Sequence, residues 1–486
     1  MKTNPAYPLW NRLFLDRSDP RPLQDQIVIY FRTIIVSGEL LPGSRLPPSR
    51  GLAKELGVAR NTVALAYERL VAEGFLDSRA GSGTYVAGGL PEKRHIRKEK
   101  TDIPSARSRR MLEAVTGFTA SSTLPLTPGL PALDEFPFAL WARLTSRFWR
   151  SKPCNLLPYG DPAGYLPLRK ALAGYIRASR GIICDPQQVL IVSGSQAGID
   201  TVARVLLDPG NSVWVEDPGY ISGRSALIAN GARLFPVPVD DQGLDPVKGE
   251  ALAPDAKLAV LSPSHQYPLG SLQNLPRRMA MLDWANRSDA WILEDDYDGE
   301  FRYTGKPVSA LHSLDPDGRV LYLGTLSKIL APSLRIGYLV VPMDLVEVFT
   351  AARVVSDRHV PLEIQAVTAE FIEGGHLASH IRRLHPLYNA RRQALLHAMQ
   401  AIRDLVEPVD YGAGLHFIAK LNPAFHDKKV SELGLQKGID APALSSFALS
   451  RTDLNGFVIG YANTPEDKAY WAVERLKESI EQSILL

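Results

Sequence analysis

Along residues 23–37, LQDQIVIYFRTIIVS, apolar side chains recur at Ile27, Tyr30, Phe31, Ile34 and Ile35. That three-and-four spacing is one face of a helix, and Gly38 stops it. A turn-rich connector, LLPGSRLPPSR, follows at 40–50. Ser49 is placed to cap a short helix through Leu56, and Gly57 ends it. From about Arg60 to Glu73 the spacing predicts another helix that buries Val63, Ala66, Tyr67 and Leu70. Residues 75–87, FLDSRAGSGTYVA, divide into two short strands about a glycine-rich turn. Three small helices and a hairpin predict a winged helix-turn-helix.

Periodicity then fails between Gly88 and Leu124. The stretch PEKRHIRKEKTDIPSARSRR (91–110) carries eight basic and three acidic residues, the composition of a solvated linker with at most a little helix. Beyond it, apolar runs alternate with helix-length segments: VLIVSG (189–194), SVWVED (212–217), KLAVLSP (257–263), AWILEDD (290–296) and RVLYLGTLS (319–327). Near-continuous apolar strands of this kind predict an α/β domain, its mostly parallel sheet covered on both faces. After about Pro342 helical patterning and a few strands predict a smaller C-terminal subdomain. The expected division is a winged helix at 1–88, a linker at 89–124 and a large domain at 125–486.

Length agrees, since 486 residues exceed what one core usually organises. No apolar run approaches the ~20 residues that span a bilayer. The start, MKTNPAYPLW, lacks the layout of a signal peptide, so a cytoplasmic location is expected. Cys154 and Cys184 make neither a disulfide framework nor a metal motif, and no metal is expected. Charge adds an asymmetry. Residues 1–110 hold 19 Lys and Arg against 11 Asp and Glu, whereas the remainder holds 36 against 41. A basic front on an acidic body suits a polyanion partner for the front only.

The second helix of a helix-turn-helix presents its N-terminal residues to the major groove, and here these are Arg60, Asn61 and Thr62. Arginine pairs with guanine and asparagine with adenine, so the trio suits sequence reading on double-stranded DNA. Residues 46–86 closely resemble the GntR group of winged-helix repressors, a resemblance that covers roughly 20–87. It implies DNA contacts, most simply to phosphates, from Arg45 and Arg50. Gly81 and Gly83 would let the wing tip approach the minor groove.

The large domain carries a second chemistry. In GTLSKILAPSLRIGY (324–338) an apolar strand delivers Lys328 to a small-residue turn, beside the hydroxyls of Thr325 and Ser327. Arg335 follows, on what reads as the next strand. Asp295 and Tyr297 close the strand AWIL, with Glu294 and Asp296 assigned structural or solvated roles. SGSQAGID (193–200) is a strand end, a tight turn and a helix start, so the amides of Ser195 and Gln196 would face an anion. In EDPGY, Tyr220 offers an aromatic ring after a strand. These parts answer the needs of pyridoxal 5′-phosphate: an amine for a Schiff base (Lys328), a carboxylate for the pyridine nitrogen (Asp295) and a partner for the phenolic oxygen (Tyr297). A stacking ring (Tyr220) and a phosphate cradle with Arg335 complete the set. Their order resembles that of the fold type I aminotransferases over roughly 125–486. By that resemblance a homodimer is implied, with Tyr159 of LPYGDPAGYLPLRKAL reaching the neighbouring subunit's phosphate.

A winged helix, a linker and an aminotransferase-like domain in this order resemble the MocR subgroup of GntR regulators over nearly the whole chain. The resemblance implies that pyridoxal phosphate, or an amine or amino acid condensing with it, changes how a dimer holds DNA. Two departures from working aminotransferases favour sensing over turnover. Tyr267 precedes Pro268 where those enzymes place an asparagine on the phenolic oxygen, and Phe457 falls where they place a carboxylate-binding arginine. Arg451 is the candidate for an acidic effector, while His265 is expected to satisfy its loop's backbone. Two alternatives stay open: an active aminotransferase with a fused DNA-binding domain, and a repressor that uses the large domain only as a dimerisation scaffold.

Overall fold

The computed structural model describes residues 12–79, 81–88, 105–115, 122–306 and 308–484. The N-terminal segment 1–11 and the linker stretches 89–104 and 116–121 lie outside the described residues. The chain divides into two compact units, Met1–Asp102 and Ile103–Leu486.

The first unit is built from helices α1 (Leu23–Val36), α2 (Ser49–Leu56) and α3 (Arg60–Ala72) and the hairpin β1 (Leu76–Arg79) and β2 (Gly83–Val86). Ile27, Phe31 and Ile34 of α1 pack with Val63, Ala66, Tyr67 and Leu70 of α3 in one core, as the apolar stripes require. Gly57 ends α2 in the left-handed conformation at φ 63°, the backbone that favours glycine. Ser49 does not cap α2. Pro48 holds the cap position in extended conformation, and no side chain bonds the free amides.

The second unit begins with α4 (Ala106–Ala114), a helix inside the expected linker, capped where Ser105 accepts from the Ser108 amide at 3.1 Å. Helices α5 (Phe138–Arg150) and α6 (Leu166–Arg180) follow. An eight-stranded sheet comes next: β3 (Val189–Val192), β4 (Ser212–Asp217), β5 (Arg233–Asp240), β6 (Gly243–Leu244), β7 (Leu258–Leu261), β8 (Trp291–Asp296), β9 (Val320–Thr325) and β10 (Gly337–Val340). Its spatial order is β3-β10-β9-β8-β7-β4-β5-β6. Neighbours from β9 across to β5 run parallel, whereas β10 runs against both β3 and β9. Between strands the chain forms α7 (Ser195–Leu206) and α8 (Ile221–Ala229), among other helices. A three-stranded antiparallel sheet, β11 (Val406–Val409), β12 (His416–Leu421) and β13 (Gly456–Gly460), lies in the C-terminal part.

Five of these strands are the apolar runs of the sequence. Pattern does not reveal β5, because Pro236 and Pro238 interrupt it; it tolerates them beside the short edge strand β6. Arg335 is not on a strand. It sits in the turn before β10 at φ 53°.

Candidate cofactor pocket and DNA-facing surface

In a parallel sheet, ligands meet the chain beyond the carboxyl ends of the strands. The ends of β3, β4, β7, β8 and β9 share one edge, and the antiparallel β10 starts there. That single edge gathers Ser195 after β3, Tyr220 after β4, Ser262 and Tyr267 after β7, Asp295 and Tyr297 at β8, and Lys328 after β9. With Pro128 and Gly129 these residues line one cavity of about 90 Å³.

Lys328 donates from Nζ to the Gly129 carbonyl at 2.6 Å. Burial holds its ammonium below the usual lysine range, with Asp298 and Asp295 opposing. Burial likewise pushes the Asp295 carboxyl up to about 7, helped by the neighbouring Asp296 and opposed by Lys328. Asp295 Oδ1 is buried without a hydrogen-bond partner, a costly arrangement unless a donor arrives. A protonated pyridine nitrogen is such a donor, so the residues present fit pyridoxal phosphate. The adjacent acids are otherwise engaged. Glu294 accepts from the amides of Leu311 and His312 at 2.9 and 2.8 Å. Asp296 pairs with Arg180 at 2.6 Å and accepts from the Tyr322 hydroxyl at 2.7 Å.

At the other end, Gly194 adopts φ 88° at the start of α7, whose first-turn amides have no acceptor within the helix. Arg335 donates to the Ser193 carbonyl and stands against this turn; a Cβ on Gly194 would lie 3.2 Å from its Nη1. Gln196 and Arg335 line a second cavity of about 340 Å³ together with Met111, Ala114 and Val115 of the α4 segment. Thr325 Oγ1 donates to Ser327 Oγ at 3.1 Å and accepts from the Ser327 amide at 3.2 Å, which shapes the turn carrying Lys328.

Other candidates stand elsewhere. Tyr159 is 79% exposed, lies under Arg358 at 4.5 Å and does not line the pocket. Arg451 pairs with Asp453 at 2.5 Å and donates to the Val239 carbonyl at 3.1 Å, so its guanidinium is engaged away from the cavity. Phe457 packs in the large core, and Val458 instead shares a cluster with Tyr267; one residue along a strand exchanges faces. His265 bonds side chains rather than backbone: its Nδ1 lies 2.9 Å from Asp298 Oδ2 and 3.0 Å from the Tyr297 hydroxyl. Asp298, Gly129 and Ser262 escaped sequence reasoning. Only the Pro-Gly pair at 128–129 carried a signal, that of a turn.

In the first unit some arginines are ion-paired and others are not. Arg32 pairs with Glu73, Arg69 with Asp25 and Glu73, and Arg21 with Asp19. Arg45, Arg50 and Arg60 are exposed and make no ion pair among the described residues, and Asn61 beside them is exposed too. Thr62 is half-buried at the start of α3. In the wing, Gly81 and Gly83 have φ 75° and 118°, and Arg45 packs where a side chain on Gly83 would be, 3.1 Å from Nε. An unpaired arginine and an exposed amide at the start of α3, with further unpaired arginines on α2 and just before it, are what a polyanion groove meets.

Residues 135–476 match the family model of aminotransferase class I and II, and residues 23–86 that of bacterial regulatory proteins of the gntR family. The probable rhizopine catabolism regulatory protein MocR of Rhizobium meliloti is 40% identical over 93% of this chain and 92% of its own. The pyridoxine biosynthesis transcriptional regulator PdxR of Corynebacterium glutamicum is 30% identical over 96% of this chain and 98% of its own. Among solved structures, Pyrococcus horikoshii kynurenine aminotransferase in complex with PMP superposes with TM-score 0.68 at 29% identity, covering 78% of this chain and 95% of that one. Fold and site thus define a gntR-type DNA reader joined to an aminotransferase-type body, a fold family that works with pyridoxal phosphate. The chain belongs to the MocR-type regulators of the GntR family. No helix among the described residues is long and apolar enough to cross a membrane.

Proposed function

We propose that the protein is a transcriptional regulator that binds pyridoxal 5′-phosphate as a Schiff base on Lys328 and senses the cofactor, or an amine or amino acid condensing with it. The observation that carries this reading is the unpartnered, buried Asp295 Oδ1 in the same cavity as Lys328. When bound, the cofactor supplies an electrophilic carbon that captures amines reversibly. Asp295 holds the proton of its ring nitrogen, Tyr220 stacks on the ring, and Tyr297 serves the phenolic oxygen. Ser195, Gln196, Thr325, Ser327 and Arg335 bind the phosphate. Sensing rather than turnover is supported by Tyr267 and Val458, an aromatic and an aliphatic side chain in one cluster beside the pocket.

DNA contact falls to Arg45, Arg50, Arg60, Asn61, Thr62 and Gly81, with 1–88 as the reader, 89–124 as the link and 125–486 as the sensor. A homodimer is supported by exposed apolar residues, Phe138 at 65%, Leu157 at 65% and Tyr159 at 79%, with Tyr159 serving the neighbouring phosphate. The test is the visible absorbance of wild-type protein and Lys328→Ala, each with added pyridoxal phosphate. A visible band in wild type that the variant lacks is the expected result. No band in either protein sinks the cofactor reading and leaves a repressor on a dimerisation scaffold. Conversion of the cofactor to its amine form by amino acids, turnover after turnover, would instead make it an active aminotransferase.

A further inference from the structure

We infer that His265, held by Asp298, is a positioning residue that keeps the Tyr297 hydroxyl directed into the pocket as a donor, and thereby sets the proton affinity of the Schiff base on Lys328. This rests on the cofactor reading above and deepens it.

One ring nitrogen has two oxygen partners here. His265 Nδ1 lies 2.9 Å from Asp298 Oδ2 and 3.0 Å from the Tyr297 hydroxyl oxygen. A carboxylate oxygen only accepts, so the nitrogen facing it carries the proton. The opposite tautomer would set two lone pairs against each other at that distance. With its proton shared between Asp298 and the tyrosine oxygen, Nδ1 has no lone pair left to accept from Tyr297. The Tyr297 hydrogen is therefore free for another acceptor, and its side chain lines the cavity that Lys328 and Asp295 share.

The pair is rigid. His265 and Asp298 are 4% and 1% exposed. Gly414 closes over them so tightly that a Cβ there would stand 2.1 Å from His265 Cε1 and 2.4 Å from Asp298 Oδ2. The other titratable groups around Tyr297 and His265 are Asp295, Glu216, Tyr267 and His416, the last with its ring 5.1 Å from that of His265. Lys328 faces Asp298 and His416. None of these hydrogen-bonds the Tyr297 hydroxyl, so the His265–Asp298 pair alone governs which way it donates among the described residues.

A hydrogen bond donated to the cofactor's phenolic oxygen stabilises its anion and so favours loss of the neighbouring imine proton. Where other members of the fold use an asparagine for this oxygen, Tyr267 stands here. Tyr297 then carries the task, and its aim depends on His265.

The test is a pH titration of the visible spectrum of the full-length, cofactor-loaded protein, following the bands of the protonated and unprotonated imine. Tyr297→Phe should raise the midpoint by about one pH unit, tenfold in proton affinity. His265→Ala and the near-isosteric Asp298→Asn should move it in the same direction. The double variant His265→Ala/Tyr297→Phe should equal Tyr297→Phe alone, because one residue acts through the other. Asp298→Asn keeps the test available should the alanine variant fold poorly. A wild-type midpoint in both Asp298→Asn and His265→Ala overturns the inference, as do additive shifts in the double variant. A wild-type protein that shows no visible band at any pH overturns the cofactor reading itself, and this inference with it.

Discussion

The hydroxyl of Ser225 donates to the carbonyl of Ala114 at 2.6 Å, which ties the last residue of α4 to the middle of α8. Arg107 adds a second tie, donating to Asn230 Oδ1 at 3.2 Å. Tyr220, which lines the cofactor pocket, is the cap residue of α8. Across the second cavity α4 faces Gln196 and Arg335, the residues proposed to hold the phosphate. The segment that connects reader to body in the chain is thus docked on the two helices whose N-termini build the site.

Removing both ties should loosen α4 while leaving the pocket whole. Ser225→Ala/Asn230→Ala gives up about 1–2 kcal/mol of docking, which is about five- to thirtyfold in the docked population. Trypsin cleavage at Arg107, Arg109 and Arg110 should accelerate accordingly, and the visible band should persist. The effect of cofactor on operator affinity should collapse towards unity. Unchanged proteolysis together with an unchanged cofactor effect would show that α4 carries no coupling.

Much of this arrangement is legible in the chain, and the remainder is hidden for definite reasons. Strands β3, β4, β7, β8 and β9 are visible because burial on both faces demands unbroken apolar runs. Lys328, Asp295, Tyr297, Tyr220 and Ser195 stand out because each follows such a run. The Gly129 carbonyl that receives Lys328 is invisible, since the two residues are 199 positions apart. Asp298 hides among the acids of EDDYDGE, where only the fold shows which carboxylate faces His265. The helix α4 escapes because Met111 stands among arginines in sequence and meets Ser225, Ala226 and Ala229 of α8 only in the fold. Arg451 and Phe457 mislead because a residue's neighbourhood in sequence does not fix the direction its side chain takes.

Gly198 offers a stability test of α7, the helix proposed to hold the phosphate. A glycine inside a helix ordinarily costs about 1 kcal/mol relative to alanine, so substitution should help. Here a Cβ would lie 2.5 Å from Leu323 Cδ1 of β9, which is fully buried. Gly198→Ala is therefore expected to destabilise by about 1–3 kcal/mol through overpacking and to weaken cofactor binding by shifting the start of α7. Thermal unfolding with and without pyridoxal phosphate measures both. A gain in melting temperature would show that the α7–β9 contact yields easily.

DNA reading separates by residue. Arg60→Ala should cost about 1–3 kcal/mol on the cognate operator and relax preference at one base pair, as loss of a base-edge contact does. Arg50→Ala and Arg45→Ala should weaken cognate and random DNA alike and lower the salt slope by about one each. Binding isotherms at several salt concentrations on both DNAs distinguish the two behaviours. A uniform loss for Arg60→Ala would move it to the phosphate set.

The buried acids under the pocket predict how cofactor-free protein responds to pH. Asp295 is pushed up to about 7 and Glu216 to about 8, in each case first by burial. In the unfolded chain both return to about 4. Between those values the folded protein keeps protons that the unfolded chain has released, so stability is greatest on the acid side and falls as pH rises towards 8. The melting temperature of cofactor-free protein should therefore be lower at about pH 8 than at about pH 6. Burial raises Glu294 and Glu300 to about 7 as well, so Asp295→Asn removes one of these several titrations and should flatten that decline in part. Pyridoxal phosphate should flatten it as well, because a protonated pyridine nitrogen gives the Asp295 carboxylate the partner it lacks at Oδ1. A decline equally steep in wild type, variant and cofactor-loaded protein would mean that Asp295 does not face the ring nitrogen.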